Sequence, residues 1–190
     1  ETIANTKNVI PYIDMPIQHV NSELLAAMNR RHDKSFLIDV INKMRSAIPN
    51  LAIRTSFICG FPGETEAHVT ELCDFLAEHH IDHIGCFTYS KERETRSARF
   101  TQQVTPEIAK KRVDTIMSHH FNLRGNRQLT RMGEVINVSY EGNRTCRSMF
   151  EAPEVDNVII LDKDPQIPAG DFINVKLNGV SGIDFLAKLA

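Results

Sequence analysis

The sequence predicts an α/β protein that continues into a small all-β barrel, and two observations indicate this fold class. Over residues 1–130, short apolar segments alternate with amphipathic helical ones, which is typical of a parallel sheet with right-handed crossovers. From Gly133 onward, five short segments of alternating polarity lie between turn residues, as in a closed five-stranded barrel of the OB-like kind. The predicted domains are therefore 1–130 and 131–190.

Within the first domain, apolar and partly β-branched runs predict the strands, and apolar residues at helical spacing predict the helices. Thr105-Pro106-Glu107 is a strong helix start, with proline at the first helical position. The charged stretch 90–104 is predicted to be a loop. The strands are predicted at 11–17, 51–58 and 81–89, and the helices at 22–28, 35–47, 65–79 and 105–129.

The predicted barrel strands are Glu134–Tyr140, Thr145–Phe150, Val155–Leu161, Phe172–Leu177 and Ile183–Leu189. Turn residues separate them, including Gly142 and the pair Asn178-Gly179. The barrel is acidic: residues 131–190 carry a net charge of −3, whereas 1–130 carry +1. A module that grips nucleic acid through phosphates is expected to be basic, so this charge favours a different partner.

The composition is that of an ordinary globular protein, with 42% hydrophobic and 24% charged residues among 190. No apolar run approaches the roughly 20 residues of a membrane span, and the first residues lack the features of a signal peptide. We therefore expect a cytoplasmic protein with no membrane contact.

The four cysteines, Cys59, Cys73, Cys86 and Cys146, are never two or three residues apart. The sequence thus contains no zinc or iron–sulfur motif, and we predict no metal ligands in it. Because most of them fall in apolar segments, the cysteines are predicted to be small buried side chains in a reducing compartment.

The stretch Thr55–Thr65 joins a buried strand to a glycine turn and a helix start, with Thr65 as the helix cap. Glycine lets the backbone turn sharply and approach a ligand closely, so Gly60 and Gly63 indicate either a ligand-binding corner or an ordinary connecting loop. Gln18 and His19 follow the first strand, where an α/β sheet keeps its working groups or where polar residues simply solvate the strand end. Arg30 lies in a basic run that either complements a helix dipole or binds an anion.

Five stretches in order resemble one family, the radical S-adenosylmethionine (SAM) methylthiotransferases, and the carboxyl-terminal barrel is similar to the TRAM domain of that family. The resemblance covers nearly the whole chain and lies in residues 16–19, 28–31, 54–65, 87–90 and 147–156. Within the family, Gln18-His19 and Ala152–Asp156 resemble the RimO type, which modifies an aspartate on small-subunit ribosomal protein twelve. The other branch modifies adenosine in tRNA.

The resemblance implies an enzyme with two 4Fe-4S clusters, one of which cleaves SAM to a radical that takes hydrogen from the aspartate β-carbon. The Cys-x3-Cys-x2-Cys motif that would hold this cluster is absent here. The clusters are therefore expected to be ligated outside this chain, in the missing N-terminal part of the same enzyme. The sequence resembles a C-terminal part, made of late strands of a TIM-like radical SAM barrel plus the TRAM domain, and we predict that it is inactive alone. A second departure is the stretch Glu94–Ala98, where the family usually has Gly-Thr-Pro-Ala-Ala.

Site residues carried over from the resemblance fall into two groups. The predicted cofactor-binding residues are Gln18, His19, Arg30, Ile58, Gly60, Phe61 and Gly63. Tyr89 and Ser90 are predicted on the substrate side, and no catalytic residue is assigned in this chain. The predicted partner is the ribosomal protein, bound through the TRAM domain. The alternatives are tRNA modification and a non-catalytic SAM- or ribosome-binding module.

Overall fold

The computed structural model describes residues 2–190, which divide into two compact units. The first unit comprises residues 13–120, and the second comprises residues 2–12 together with 121–190. Each unit has its own sheet and core. Among the described residues, no helix combines the length and the apolar character that crossing a membrane requires.

The first unit is built on a three-stranded sheet with strand order β1-β2-β3, in which β2 and β3 run parallel. The strands are β1 (Tyr12–Asp14), β2 (Ala52–Cys59) and β3 (His83–Thr88). Its helices are α2 (Ser22–Ala27), α3 (Lys34–Ala47), α4 (Glu66–His79) and the first part of α5 (Pro106–Thr130), whereas α1 (Thr2–Asn5) belongs to the second unit. The prediction of parallel strands separated by helices is confirmed.

Capping side chains fix where these helices begin. The Asn21 side-chain oxygen accepts hydrogen bonds from two backbone N–H groups at the start of α2, and the Asp33 carboxylate does the same once for α3. Both satisfy donors that a helix leaves without partners in its first turn. The predicted loop 90–104 contains one short 3₁₀ turn, Ser97–Arg99, and α1 was not predicted from the sequence.

The second unit contains the predicted five-stranded closed barrel, with strand order β4-β5-β6-β8-β7. Alternating residues of these strands point inward, and the core includes Val138, Tyr140, Ile159, Val175 and Phe185. The strands are β4 (Val135–Gly142), β5 (Thr145–Arg147), β6 (Ile159–Leu161), β7 (Phe172–Ser181) and β8 (Asp184–Leu189).

The structure corrects one predicted turn in the barrel. Asn178-Gly179 lies inside β7, at a shift of the pairing register with β8, and the chain turns only at Gly182. A Cβ at Gly179 would lie 3.2 Å from the Leu186 side chain, so the missing side chain serves close packing across the bulge. The second and third barrel strands are also shorter than predicted.

Candidate functional site

A cavity of about 370 Å³ lies at the carboxyl ends of β2 and β3 in the first unit. This is the edge of a parallel sheet at which α/β proteins bind ligands. The residues that line it are Gln18, Ala27, Met28, Asn29, Arg30, Ile58, Phe61, Tyr89, Arg96 and Ser97. Five of the sequence-predicted site residues, from four separate stretches, are thereby brought to one cavity.

Gln18 enters this cavity from a constrained backbone. Its φ of 72° lies in the left-handed region, which non-glycine residues rarely adopt. Two hydrogen bonds to β2 hold it there: the Gln18 N–H donates to the Ser56 carbonyl at 2.9 Å, and the Ile58 N–H donates to the Gln18 carbonyl at 2.8 Å. Because both backbone groups are bonded, the position of this residue is fixed by the strand beside it.

An aromatic wall closes one side of the cavity. The Phe61 ring is buried and packs edge-on against Tyr89 and Phe100, with ring centroids 5.3 Å and 6.2 Å away. The Tyr89 hydroxyl donates to Ser97 Oγ at 2.8 Å, which anchors the Tyr89 ring to the 3₁₀ turn at Ser97–Arg99. Together with Ile58, Phe61 and Tyr89 give the cavity an apolar side against which a planar heterocycle can pack.

The charged part of the cavity is cationic. Arg30 and Arg96 line it, and no aspartate or glutamate is among the lining residues. Arg96 lies 5.8 Å from the centre of the Phe100 ring, whereas the exposed Arg30 guanidinium makes no hydrogen bond or ion pair with any of residues 2–190. A free guanidinium beside an apolar wall suits a ligand that carries a carboxylate.

Four predicted site residues do not line the cavity. Ser90 is exposed and donates from its hydroxyl to Glu92, and Gly63 lies on neighbouring clefts. His19 is buried. Gly60 faces α5, where a Cβ would lie 2.3 Å from the Ala109 Cβ, so its small size serves helix packing.

A buried ion pair stabilises the turn at Gly60. The Glu64 carboxylate accepts the Gly60 N–H at 2.8 Å and lies 3.1 Å from Arg112 Nη1, and both side chains are almost fully buried. Burial raises the pKa of Glu64, while the Gly60 N–H and the Arg112 charge act in the opposite direction. Local sequence gives no sign of this pairing, because Arg112 lies 48 residues away from Glu64.

His19 belongs to the same buried layer. Its Nδ1 accepts the N–H groups of Val20 and Asn21, both at 2.9 Å, so the imidazole is neutral with its proton on Nε2. Nε2 lies 4.0 Å from the Glu64 carboxylate. Burial lowers the pKa of His19 to about 4, and the neighbouring His68 acts in the same direction. His19 does not line the cavity in this geometry, and its predicted cofactor-binding role stays a prediction.

We expect the protein to lose stability as the pH falls from about 6.5 to about 4 because of His19. In that range the unfolded chain binds a proton at this residue and the folded chain does not, so the free energy of unfolding falls by up to roughly 3 kcal/mol. Urea denaturation at several pH values measures this change in the free energy of unfolding. The His19→Asn variant, whose side-chain oxygen still accepts the backbone N–H groups, should show a flatter profile. Equal slopes for the two proteins would contradict the assignment.

Nothing in the described part of the chain offers a metal site. Among residues 2–190, no group of three or more histidine, cysteine, aspartate or glutamate side chains could hold a metal ion. His79, His80 and His83 do not converge on such a site. The residues present therefore fit an organic ligand at the cavity and do not fit an iron–sulfur cluster.

Comparisons with known sequences link both units to described families. A family model described as the radical SAM superfamily matches residues 1–76, and one described as the TRAM domain matches residues 131–189. A ribosomal protein uS12 methylthiotransferase RimO from Clostridium acetobutylicum is 39% identical over 93% of this chain and 41% of its own length. The protein of that name from Syntrophomonas wolfei is 36% identical over 99% of this chain and 44% of its own length.

A solved structure supports the fold. Coproporphyrinogen III oxidase (HemN) from Escherichia coli, described as a radical SAM enzyme, matches with a TM-score of 0.54 at 13% identity, over 90% of this chain and 41% of that one. This likeness concerns the fold alone. The chain spans less than half the length of the curated relatives that it matches.

Proposed function

We propose that the cavity of this chain, which belongs to the radical SAM methylthiotransferases of the RimO type, binds the organic part of SAM. The observation that carries the proposal is the Arg30 guanidinium, which has no partner among residues 2–190 and lies beside the wall of Ile58, Phe61 and Tyr89. SAM combines a planar adenine with an amino-acid carboxylate, so each end of the ligand has a matching surface.

In this proposal, different cavity residues contact different parts of SAM. Ile58 and Phe61 pack on the adenine, which the buried Phe61 ring keeps away from water. Arg30 binds the carboxylate through charge-assisted hydrogen bonds. The backbone of Gln18 is held by β2, and its side-chain amide is a donor and acceptor for the ribose hydroxyls.

We infer that the whole enzyme attaches a methylthio group to the β-carbon of an aspartate on the small-subunit ribosomal protein uS12. Proteins similar to this chain are named ribosomal protein uS12 methylthiotransferases, and the aspartate β-carbon is what the family resemblance implies. An iron–sulfur cluster held outside this chain would supply the electron for the cleavage of SAM. In this proposal both clusters are held by residues outside the present chain, whose part is to bind and orient the cofactor.

Replacing Arg30 by methionine should weaken SAM binding by roughly 10- to 100-fold, because one charge-assisted contact contributes about 1.5–3 kcal/mol. Isothermal titration calorimetry with SAM measures the affinity. The matched control is Arg31→Met, which removes the same charge from the next residue, an exposed one that does not line the cavity. Equal effects of the two substitutions would contradict the proposed contact between Arg30 and the SAM carboxylate.

The acidic barrel, residues 131–190, supports a protein partner for this chain. Residues 131–190 carry a net charge of −3, which suits a basic ribosomal protein and repels the phosphates of tRNA. Asp162 and Asp171 are exposed acids on this unit. We propose that the TRAM domain contacts the ribosomal protein, with tRNA as the competing partner.

Neutralising Asp162 and Asp171 to asparagine should weaken binding of uS12 by about three- to tenfold, since exposed charges act mainly by complementarity with the partner. Fluorescence anisotropy with labelled uS12 and with tRNA compares the two partners at several salt concentrations. The control carries Asp39→Asn and Asp74→Asn, two exposed acids of the first unit. Tight tRNA binding with a steep salt dependence would favour the tRNA branch instead.

A further inference from the structure

Two cysteines lie in contact on the parallel strands that carry the cavity. Cys59 is the last residue of β2, Cys86 lies within β3, and their Sγ atoms are 3.1 Å apart. In the strand register Cys59 pairs with Thr88 and Cys86 with Phe57. The two cysteines are therefore diagonal neighbours on one face of the sheet, where side chains of adjacent strands can meet.

The environments of the two thiols differ. Cys59 is buried, whereas Cys86 is only half-buried, contrary to the sequence-based prediction that all of these cysteines are buried. The hydrogen bond with Cys86 and burial raise the pKa of Cys59. Cys86 is therefore the thiol that a small reagent reaches first, and Cys59 is held beside it as a second, neutral thiol.

We propose that Cys59 and Cys86 are a redox modification site, at which a peroxide converts the two thiols to a reversible disulfide. The proposal rests on the contact between the two sulfur atoms and on the difference in their exposure. It does not depend on which ligand the cavity binds.

The reaction balances with one peroxide for each disulfide. The Cys86 sulfur attacks one peroxide oxygen, the O–O bond breaks, and water leaves as Cys86 becomes a sulfenic acid. The Cys59 sulfur then attacks the Cys86 sulfur, the S–O bond breaks, and a second water carries away the thiol proton. The two thiols lose two electrons, which reduce the peroxide, and an added dithiol returns both cysteines to the reduced state by exchange.

The disulfide needs only a small movement. An S–S bond is about 2.05 Å long, so the sulfurs must approach by about 1 Å from their present contact. This movement acts directly on the cavity. Cys59 lies between Ile58 and Gly60, and its carbonyl accepts the Tyr89 N–H at 2.8 Å. Oxidation therefore ties together the two strand ends that hold the aromatic wall.

The other two cysteines provide internal controls. Cys146 is buried in the core of the barrel, and Cys73 is half-buried on α4. Within residues 2–190, the sulfur atoms of Cys73 and Cys146 make no hydrogen-bond contact with the sulfur of another cysteine. Both are expected to remain thiols under the same treatment.

The test treats the whole chain with a modest excess of hydrogen peroxide, alkylates the remaining thiols after denaturation, and maps the labels by mass spectrometry. We expect Cys59 and Cys86 to lose their labels together, a peptide joined by the Cys59–Cys86 bond to appear, and dithiothreitol to restore both labels. Cys73 and Cys146 should stay labelled throughout.

Two variants separate the steps. In Cys59→Val, Cys86 should be trapped as a sulfenic acid that dimedone labels; in Cys86→Val, Cys59 should remain a free thiol. The wild-type label map tests the proposal by itself, so the proposal remains testable even if a variant fails to fold. Full labelling of Cys59 in oxidised wild type, or a joined peptide that contains Cys73 in place of Cys59, would overturn it.

Discussion

Replacing Gly60 by alanine is expected to lower the free energy of unfolding by about 3 kcal/mol or more, because two costs combine. The φ of 79° at Gly60 is unfavourable for a residue with a side chain. The new Cβ would lie 2.3 Å from the Cβ and 3.2 Å from the Cα of Ala109. Neither atom belongs to a flexible side chain, so the turn and α5 must move apart. Urea denaturation followed by circular dichroism measures the loss.

The matched control for this substitution is Gly125→Ala. Gly125 lies within α5, and no atom would come within 4 Å of an added Cβ. Alanine is the better helix former, so this variant should be more stable by about 0.5–1 kcal/mol. A loss of less than about 1 kcal/mol for Gly60→Ala would show that the close contact with α5 relaxes easily, contrary to the packing described above.

Replacing Arg112 by methionine is expected to cost about 3–5 kcal/mol, because it leaves the Glu64 carboxylate buried without its cation. Arg112 also donates to the Glu64 carbonyl and to the exposed Glu66 carboxylate, so its loss frees the start of α4 as well. Chemical denaturation at neutral pH measures the cost. Methionine keeps most of the side-chain volume, which confines the effect to charge and hydrogen bonding.

The double variant Glu64→Gln/Arg112→Met provides the control, and we expect it to be more stable than Arg112→Met alone. The pH dependence gives a second check. The pKa of Glu64 is raised in the folded state, so the folded chain holds this proton more tightly, and stability falls as the pH rises through the folded pKa. Without Arg112 this fall should be larger. A cost that is the same in acid and at neutral pH would argue against an uncompensated carboxylate.

Much of the fold could be predicted from local patterns. The glycine turn after β2 and the helix start at Thr65 follow from residue types that allow few other conformations. The barrel strands follow from strict alternation of polarity. The prediction of a turn at Asn178-Gly179 was wrong because a glycine at a bulge and a glycine at a turn look the same in a sequence. Only the close packing of Leu186 against Gly179 distinguishes the two cases.

The candidate site was predictable only in part. Motif positions pointed to Gln18, Arg30 and Phe61, which the structure brings to one cavity. The supporting layer was not predictable, because the partnership of Glu64 with Arg112 depends on how α5 packs beside the turn. Local sequence carries no information on such long-range pairs. For the same reason the contact between Cys59 and Cys86 could not be foreseen, since it depends on strand register.

The left-handed backbone of Gln18 has a consequence for the thermodynamics of ligand binding. Strained backbone conformations persist only where surrounding bonds hold them, as β2 does here on both sides of the residue. The conformational entropy of this segment is therefore lost when the chain folds, before any ligand arrives. A ligand that meets Gln18 finds its backbone already ordered, so less of the binding energy is spent on ordering this segment.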